Sequence, residues 1–239
     1  MLLNTINFGL LLLPSYQWLD AAGSVDFINL HSQASLKFDH QNESIIAKAP
    51  IIEWHYISHN LEPVQATSGP AGIPTCTYDT CPQLDYLLVP GPDPTAPLPN
   101  GTAAYLQKLV VQDGFKALLT ICTGSLAIAP SGVLDGHNVC SNKVALKSMA
   151  LAGQLDKNVK WIGDKRWNVD GKVWSSAGIT AGIDLAAEFA RVHFDPEIVQ
   201  FAKDAAEYVP NPAQPDPFAF LLDGIDLSET RCRYSLIIP

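Results

Sequence analysis

Short, nearly unbroken apolar runs recur along this 239-residue chain, and each stops at a change of character. Phe8–Leu13 ends at Pro14, Ile51–Ile57 at Ser58-His59, Tyr86–Val89 at Pro90-Gly91-Pro92-Asp93-Pro94, and Lys116–Ile121 at Cys122. Runs of this length without alternation suit strands buried on both faces. Between them the spacing turns helical. From Tyr16 to about Ser32, the apolar set Leu19, Ala22, Val25 (or Phe27) and Leu30 predicts a helix with those residues inward. Thr102 is placed to cap a helix to Gly114, with Leu106, Leu109 and Val110 on one face. Val159–Ile162 and Trp167–Trp174 read as strands, the second interrupted by a turn at Asp170-Gly171. Thr180 then serves as N-cap of a helix to about His193, on which Asp184, Glu188 and Arg191 mark the solvent face.

Strands alternating with helices predict an α/β fold: a mainly parallel sheet covered on both faces. In such folds ligands bind beyond the carboxyl ends of the strands. Three segments fall there: Pro14–Asp20, Pro90–Pro94 and Cys122-Thr123. The length fits one large α/β domain as easily as two small ones. The tail from Val209 is rich in proline and is expected to wrap the surface.

Composition narrows the function classes. Charged residues make up only 16% of the chain and the net charge is −9, so no basic stripe exists to neutralise phosphate, which argues against a nucleic-acid partner. Phe8–Leu13 imitates a signal-peptide core, but no Lys or Arg precedes Lys37, so a first buried strand is the expectation. No run approaches the ~20 residues of a membrane span. The five cysteines, Cys76, Cys81, Cys122, Cys140 and Cys232, have neither disulfide-framework nor zinc spacing, so no metal is expected. Cys76 and Cys81 are near enough in sequence to pair, although a reduced pair is the plainer reading. The sequons at Asn42 and Asn100 matter only for a secreted chain.

The chemistry concentrates in Leu118–Ala129, which reads as a buried strand, a cysteine at a sharp turn and a small-residue helix. That is the layout of a nucleophile elbow with sulfur in place of oxygen. The free N–H groups and dipole of a helix start would lower the pKa of the Cys122 thiol and hold an oxyanion. Gly124 would let the helix start approach the strand. The alternative is a buried packing cysteine. Asp20, just after the first strand, is either an acid/base partner of the thiol or, as the residue alone favours, a solvated first-turn acid. His55, His59, His137 and His193 have no spacing that singles one out. Trp18, Trp167 and Trp174 suit an apolar pocket or, more simply, core packing.

Four blocks resemble the DJ-1/PfpI family, within the class I glutamine-amidotransferase-like superfamily: Phe8–Gly23, Leu84–Gly91, Ile121–Gly136 and Trp174–Asp184. Cys122-Thr-Gly followed by Gly132-Val-Leu-Asp-Gly136 is similar to the isonitrile hydratase-like branch, which includes many fungal members. The resemblance implies a flavodoxin-like sandwich over residues 1–200, with 201–239 a helix and tail packed on the same domain. It implies a cytoplasmic homodimer that acts on a small molecule without a cofactor. It makes Cys122 the nucleophile, Asp20 an acid hydrogen-bonded to it, and Thr123 a substrate contact. Two departures qualify this. Asn142 stands in the stretch where related hydratases carry Thr-His-Trp, which argues against a Cys–His dyad, an amidotransferase triad and peptidase activity. Pro92 replaces the second glycine of Pro-Gly-Gly and has no N–H, so Asp93 or Gly91 would have to supply that oxyanion donor. The reaction implied is hydration of an isonitrile to an N-substituted formamide. The alternatives are a glyoxalase-like or secondary-metabolism enzyme with the same site, and a redox-sensing or regulatory protein without turnover.

Overall fold

A computed structural model describes residues 5–228. Its strands are β1 (Thr5–Leu11), β2 (Ile51–Ser58), β3 (Cys76–Thr77), β4 (Tyr86–Val89), β5 (Ala117–Thr120), β6 (Asn138–Cys140), β7 (Lys160–Ile162), β8 (Trp167–Asp170) and β9 (Val173–Ser176). Its helices are α1 (Trp18–Asn29), α2 (Gln33–Phe38), α3 (Glu43–Ile46), α4 (Thr102–Val110), α5 (Gly124–Ile128), α6 (Lys143–Ala152), α7 (Thr180–His193) and α8 (Pro196–Ala205). Seven strands form one sheet in the order β3-β2-β1-β4-β5-β9-β8, and β6 and β7 pair separately. Among the described strand pairs β8–β9 alone is antiparallel; its two-residue return at Gly171 takes the left-handed φ of +60° that glycine adopts without strain. The α/β, mainly parallel arrangement expected from the apolar runs is therefore present, as is the flavodoxin-like sandwich that the resemblance implies.

Two apolar layers sandwich the sheet. On the α1/α7 face, Phe8 of β1 stacks on Trp54 and Tyr86 with ring centroids 4.8 Å away from each, and Phe189 of α7 closes the stack edge-on at 5.4 Å. Trp174 belongs to the same layer, against Phe189, so it packs the core rather than lining an open pocket. Leu11, Leu87, Leu118, Leu106 and Leu146 fill the opposite layer beneath α4 and α6. Beyond α8, the chain continues over the domain to a short 3-10 turn at Ala219–Leu222, whose Leu222 is buried in that second layer.

Several local expectations need correction. Helix α1 begins at Trp18, and Leu19 is 44% exposed because Ala21, Ser24, Val25, Phe27 and Ile28 supply the buried face. Thr102 does not cap α4: Gly101, at φ +85°, takes that position, the Thr102 hydroxyl donates to the Pro99 carbonyl at 2.7 Å, and the helix ends at Val110. Ile179 rather than Thr180 is the N-cap of α7. Asp184 is not on the solvent face. Its carboxylate is fully buried against Arg166, while Glu188 and Arg191 pair with each other at 2.7 Å farther along the helix. The helices α2, α3 and α6 lie in stretches where no element was expected. Each starts at a polar cap, from Ser32, Asn42 and Asn142.

Candidate active site

Strand β5 delivers Cys122 to the carboxyl edge of the sheet in a left-handed conformation, φ +57°. A non-glycine residue there is strained, so its surroundings must hold it. They do so from both sides. The Cys122 N–H donates to the Ala177 carbonyl at 3.1 Å, and its carbonyl accepts the Ser141 hydroxyl at 2.7 Å and the Ser125 hydroxyl at 3.4 Å. Gly124 follows, where an added Cβ would lie 2.4 Å from the Val89 carbonyl oxygen. Only glycine lets the start of α5 sit on the end of β4. The elbow is thus built as its sequence suggests, with Cys122 8% exposed.

Asp20, in the first turn of α1, is completely buried and not the solvated acid that its position alone favours. The Gly91 N–H donates to its Oδ2 at 2.9 Å, which fixes the carboxyl toward the elbow. The Cys122 thiol is its other stabilising donor. Burial outweighs both hydrogen bonds and pushes the Asp20 carboxyl up to about 7. Its Oδ1 is buried with no protein hydrogen-bond partner among the described residues.

The expected low-pKa thiolate is not what the site favours. Burial and the Asp20 charge push the Cys122 thiol up to about 11. Three donors pull the other way: the Ile179 N–H, the Thr123 N–H and the Asn142 side chain. They are too weak to offset a desolvated sulfur beside a carboxylate, so the resting site holds a thiol. The donors nevertheless surround the sulfur, where they can receive negative charge as it develops.

Thr123, expected as a substrate contact, turns its N–H to the sulfur, and the part played by Ile179 and Asn142 was not expected. Ile179 sits at φ +30°, a severe conformation for a β-branched residue, in the loop Ala177–Ile179 beyond β9. Its signal was topological: β9 is a parallel neighbour of β5, so its carboxyl end opens on the same edge. Asn142 had been noted only as a missing histidine. Its Oδ1 accepts the Ala145 N–H at 3.0 Å to cap α6, which leaves its amide to donate to Cys122.

The proposed oxyanion donors fare differently. The Gly91 N–H is committed to Asp20, and the Thr123 hydroxyl donates to the Pro92 carbonyl at 2.6 Å. The exposed Asp93 carboxylate accepts the Thr95 N–H and hydroxyl at 2.9 and 2.7 Å, a local turn. None of the four histidines considered stands in for a dyad. His55 meets Asn7 at 3.0 Å, His59 its neighbours Ser58 and Asn60, His137 Asp170 at 3.8 Å, and His193 the Phe189 carbonyl at 2.9 Å.

Trp18 lines a cavity of about 400 Å³ with Tyr16, Val25, Tyr56 and Ile73, on the side of α1 away from Asp20. Trp167 borders a different depression, beside Asn211 and Arg191. Cys76, Cys81, Cys122 and Cys140 are free thiols, and Cys232 lies outside the described residues. Among the described residues, no group of three or more His, Cys, Asp or Glu is placed to hold a metal ion, and no helix is long and apolar enough to cross a membrane.

The chain is similar to known proteins along most of its length. The chain is 26% identical over 209 residues to an isonitrile hydratase of Pseudomonas putida, a match covering 87% of this chain and 80% of that protein. It is 25% identical over 183 residues to the HTH-type transcriptional regulator GbdR of Pseudomonas aeruginosa, covering 76% of this chain but only 45% of the regulator. Among solved structures, a ThiJ/PfpI family protein from Pseudomonas syringae superposes with a TM-score of 0.66 at 22% identity, covering 88% of this chain and 78% of that one. Drosophila melanogaster DJ-1beta superposes with a TM-score of 0.65 at 17% identity, covering 86% and 99%. Residues 46–192 match the DJ-1/PfpI family model, and the chain belongs to that family.

Proposed function

We propose that this protein is a cofactor-independent hydratase in which Cys122 attacks a small organic molecule, an isonitrile in the simplest case, and Asp20 moves the protons. The observation that carries this reading is the burial of Cys122 and Asp20 against each other, with the carboxyl held near neutrality. A carboxyl at about 7 exchanges protons in both directions at working pH. Similarity to the Pseudomonas putida isonitrile hydratase over most of both chains supports the substrate class.

The steps balance as the addition of one water. Ionised Asp20 takes the thiol proton as the Cys122 sulfur bonds to the terminal isonitrile carbon, and the carbon–nitrogen triple bond becomes a double bond. Asp20 returns the proton to that carbon, which leaves a thioimidate. Asp20 takes one proton from water as the hydroxide adds to the same carbon, and passes that proton to the nitrogen. The tetrahedral adduct then expels sulfur, Asp20 carries the hydroxyl proton to it, and an N-substituted formamide departs with Asp20 ionised again. The Ile179 and Thr123 N–H groups and the Asn142 amide hold the sulfur's negative charge on attack and departure. No histidine is needed. A small-molecule substrate and a homodimer complete the reading.

Incubation with a simple alkyl isonitrile is expected to yield a product heavier by one water, and Cys122→Ala is expected to abolish it. Undiminished turnover by Cys122→Ala would refute the covalent route. A second reading is supported by the similarity to the regulator GbdR. In it the same site binds a small molecule without turning it over, and saturable binding with no product would select it. Peroxide sensing is less favoured, because a thiol pushed up to about 11 is a poor thiolate.

A further inference from the structure

We propose that the buried Arg166–Asp184 pair, latched by the C-terminal segment Tyr208–Ala213, is a positioning device that holds the loop Ala177–Ile179 against the Cys122 sulfur. The inference rests on Cys122 being the reactive atom, but not on which substrate it attacks.

The connection can be followed bond by bond. Arg166 Nε and Nη2 donate to Asp184 Oδ2 at 2.8 and 2.5 Å, and the two side chains are 8% and 0% exposed. The other Asp184 oxygen accepts the Tyr208 hydroxyl and the Asn211 N–H, the latter at 2.7 Å. The Arg166 backbone is clamped as well. Its N–H donates to the Ala213 carbonyl at 2.8 Å, and its carbonyl accepts the Ala177 N–H at 2.7 Å. The Ala177 carbonyl in turn accepts the Cys122 N–H at 3.1 Å. Two residues on, the Ile179 N–H reaches the Cys122 sulfur, and the Thr180 hydroxyl that follows accepts Arg166 Nη2 at 3.3 Å. The tail, the ion pair, the loop and the sulfur therefore form one continuous network.

A desolvated ion pair contributes little net stability compared with apolar residues of the same shape, so stability alone does not account for it. A strained residue such as Ile179 persists only where its surroundings over-determine it, and Arg166 ties the loop on both sides of that residue. A second tie runs parallel. Lys143, next to Asn142, pairs with Asp216 of the same tail at 2.9 Å and donates to the Lys165 carbonyl at 2.7 Å. Both donors missed in the sequence are thus anchored by the C-terminal segment. Among the described residues, the charged group that acts on the sulfur is Asp20 on α1; Asn142 and the two backbone N–H groups are neutral.

The test follows alkylation of Cys122 by iodoacetamide, read on its own peptide by mass spectrometry, from about pH 7 to pH 10 in the full chain. Asp184→Asn is expected to move the rate–pH curve to higher pH, with alkylation about tenfold slower at a given pH, one pKa unit. Tyr208→Phe, which removes one hydroxyl from the latch, is expected to fold and to shift the curve the same way by about threefold. Glu188→Gln, on the same helix and paired among the described residues with exposed Arg191, is expected to leave it unchanged. If Asp184→Asn does not fold, Tyr208→Phe decides. A folded Tyr208→Phe whose curve coincides with the wild type, or moves to lower pH, overturns the proposal even if its thermal midpoint falls. The readout needs no isonitrile, so its failure is distinct from failure of the hydratase reading.

Discussion

Replacing Asp20 with asparagine is expected to lower turnover by about 10²–10⁴-fold while making Cys122 react faster with iodoacetamide. The two effects have one cause. The Asp20 charge helps push the Cys122 thiol up, so removing it brings the thiol down and raises the thiolate fraction at a given pH. A more reactive sulfur in a dead enzyme would show that proton transfer, not thiolate supply, limits the reaction. In the wild type, kcat/KM is expected to rise with pH through about 7, as Asp20 ionises and becomes able to take the thiol proton. Asp20→Asn should lose that limb.

The same substitution is expected to stabilise the fold. Asp20 titrates at about 7 in the folded chain and near 4 when unfolded. Between those values the folded state holds a proton that the unfolded state has lost, so stability falls as pH rises through the window. Above it the full penalty applies. Asp20→Asn removes the penalty, on the order of 4 kcal/mol at pH 8 and under about 1 kcal/mol at pH 4. His31, buried and held at about 4, acts with the opposite sign, and its contribution is lost as pH falls from about 6.5. Both proteins carry His31, so it cancels in the comparison. Urea unfolding at the two pH values measures the difference.

Gly91→Ala is expected to cost about 100-fold in turnover with a loss of about 1–3 kcal/mol in stability. An added Cβ would lie 2.4 Å from the Thr123 hydroxyl, 2.7 Å from the Thr123 nitrogen and 3.0 Å from Asp20 Oδ2. Those atoms belong to the acid and to one sulfur donor, so a single methyl would separate the parts of the site. The position has no left-handed φ, so close approach alone forbids the side chain. Steady-state kinetics with a thermal melt check this, and wild-type turnover by a folded Gly91→Ala would contradict the assembled geometry.

The fold was legible because its central strands are buried on both faces and stop at unmistakable turns, as Leu87 and Leu118 and their neighbours show. Short edge elements were not, since two residues at Cys76-Thr77 or three at Asn138–Cys140 carry no period. The buried Asp184 was misread because nothing local announces a partner eighteen residues away in the sequence at Arg166. The elbow was legible because Cys122 and Gly124 answer to local geometry. Asp20 was not legible from its own surroundings, since a first-turn acid reads as solvated; the family resemblance pointed to it. Ile179 acts through its backbone, which leaves no mark on residue type. Asn142 carried only the mark of an absent histidine. The thiol was expected to be acidic from the helix start, but burial and the Asp20 charge overrule three donors.

The covalent role of Cys122 is tested most directly by freezing the protein during turnover of an alkyl isonitrile and weighing the Cys122 peptide. An added mass equal to that of the isonitrile is expected on the Cys122 peptide, absent in Cys122→Ala. Steady formation of the formamide with Cys122 never modified, and unimpaired in Cys122→Ala, would contradict it.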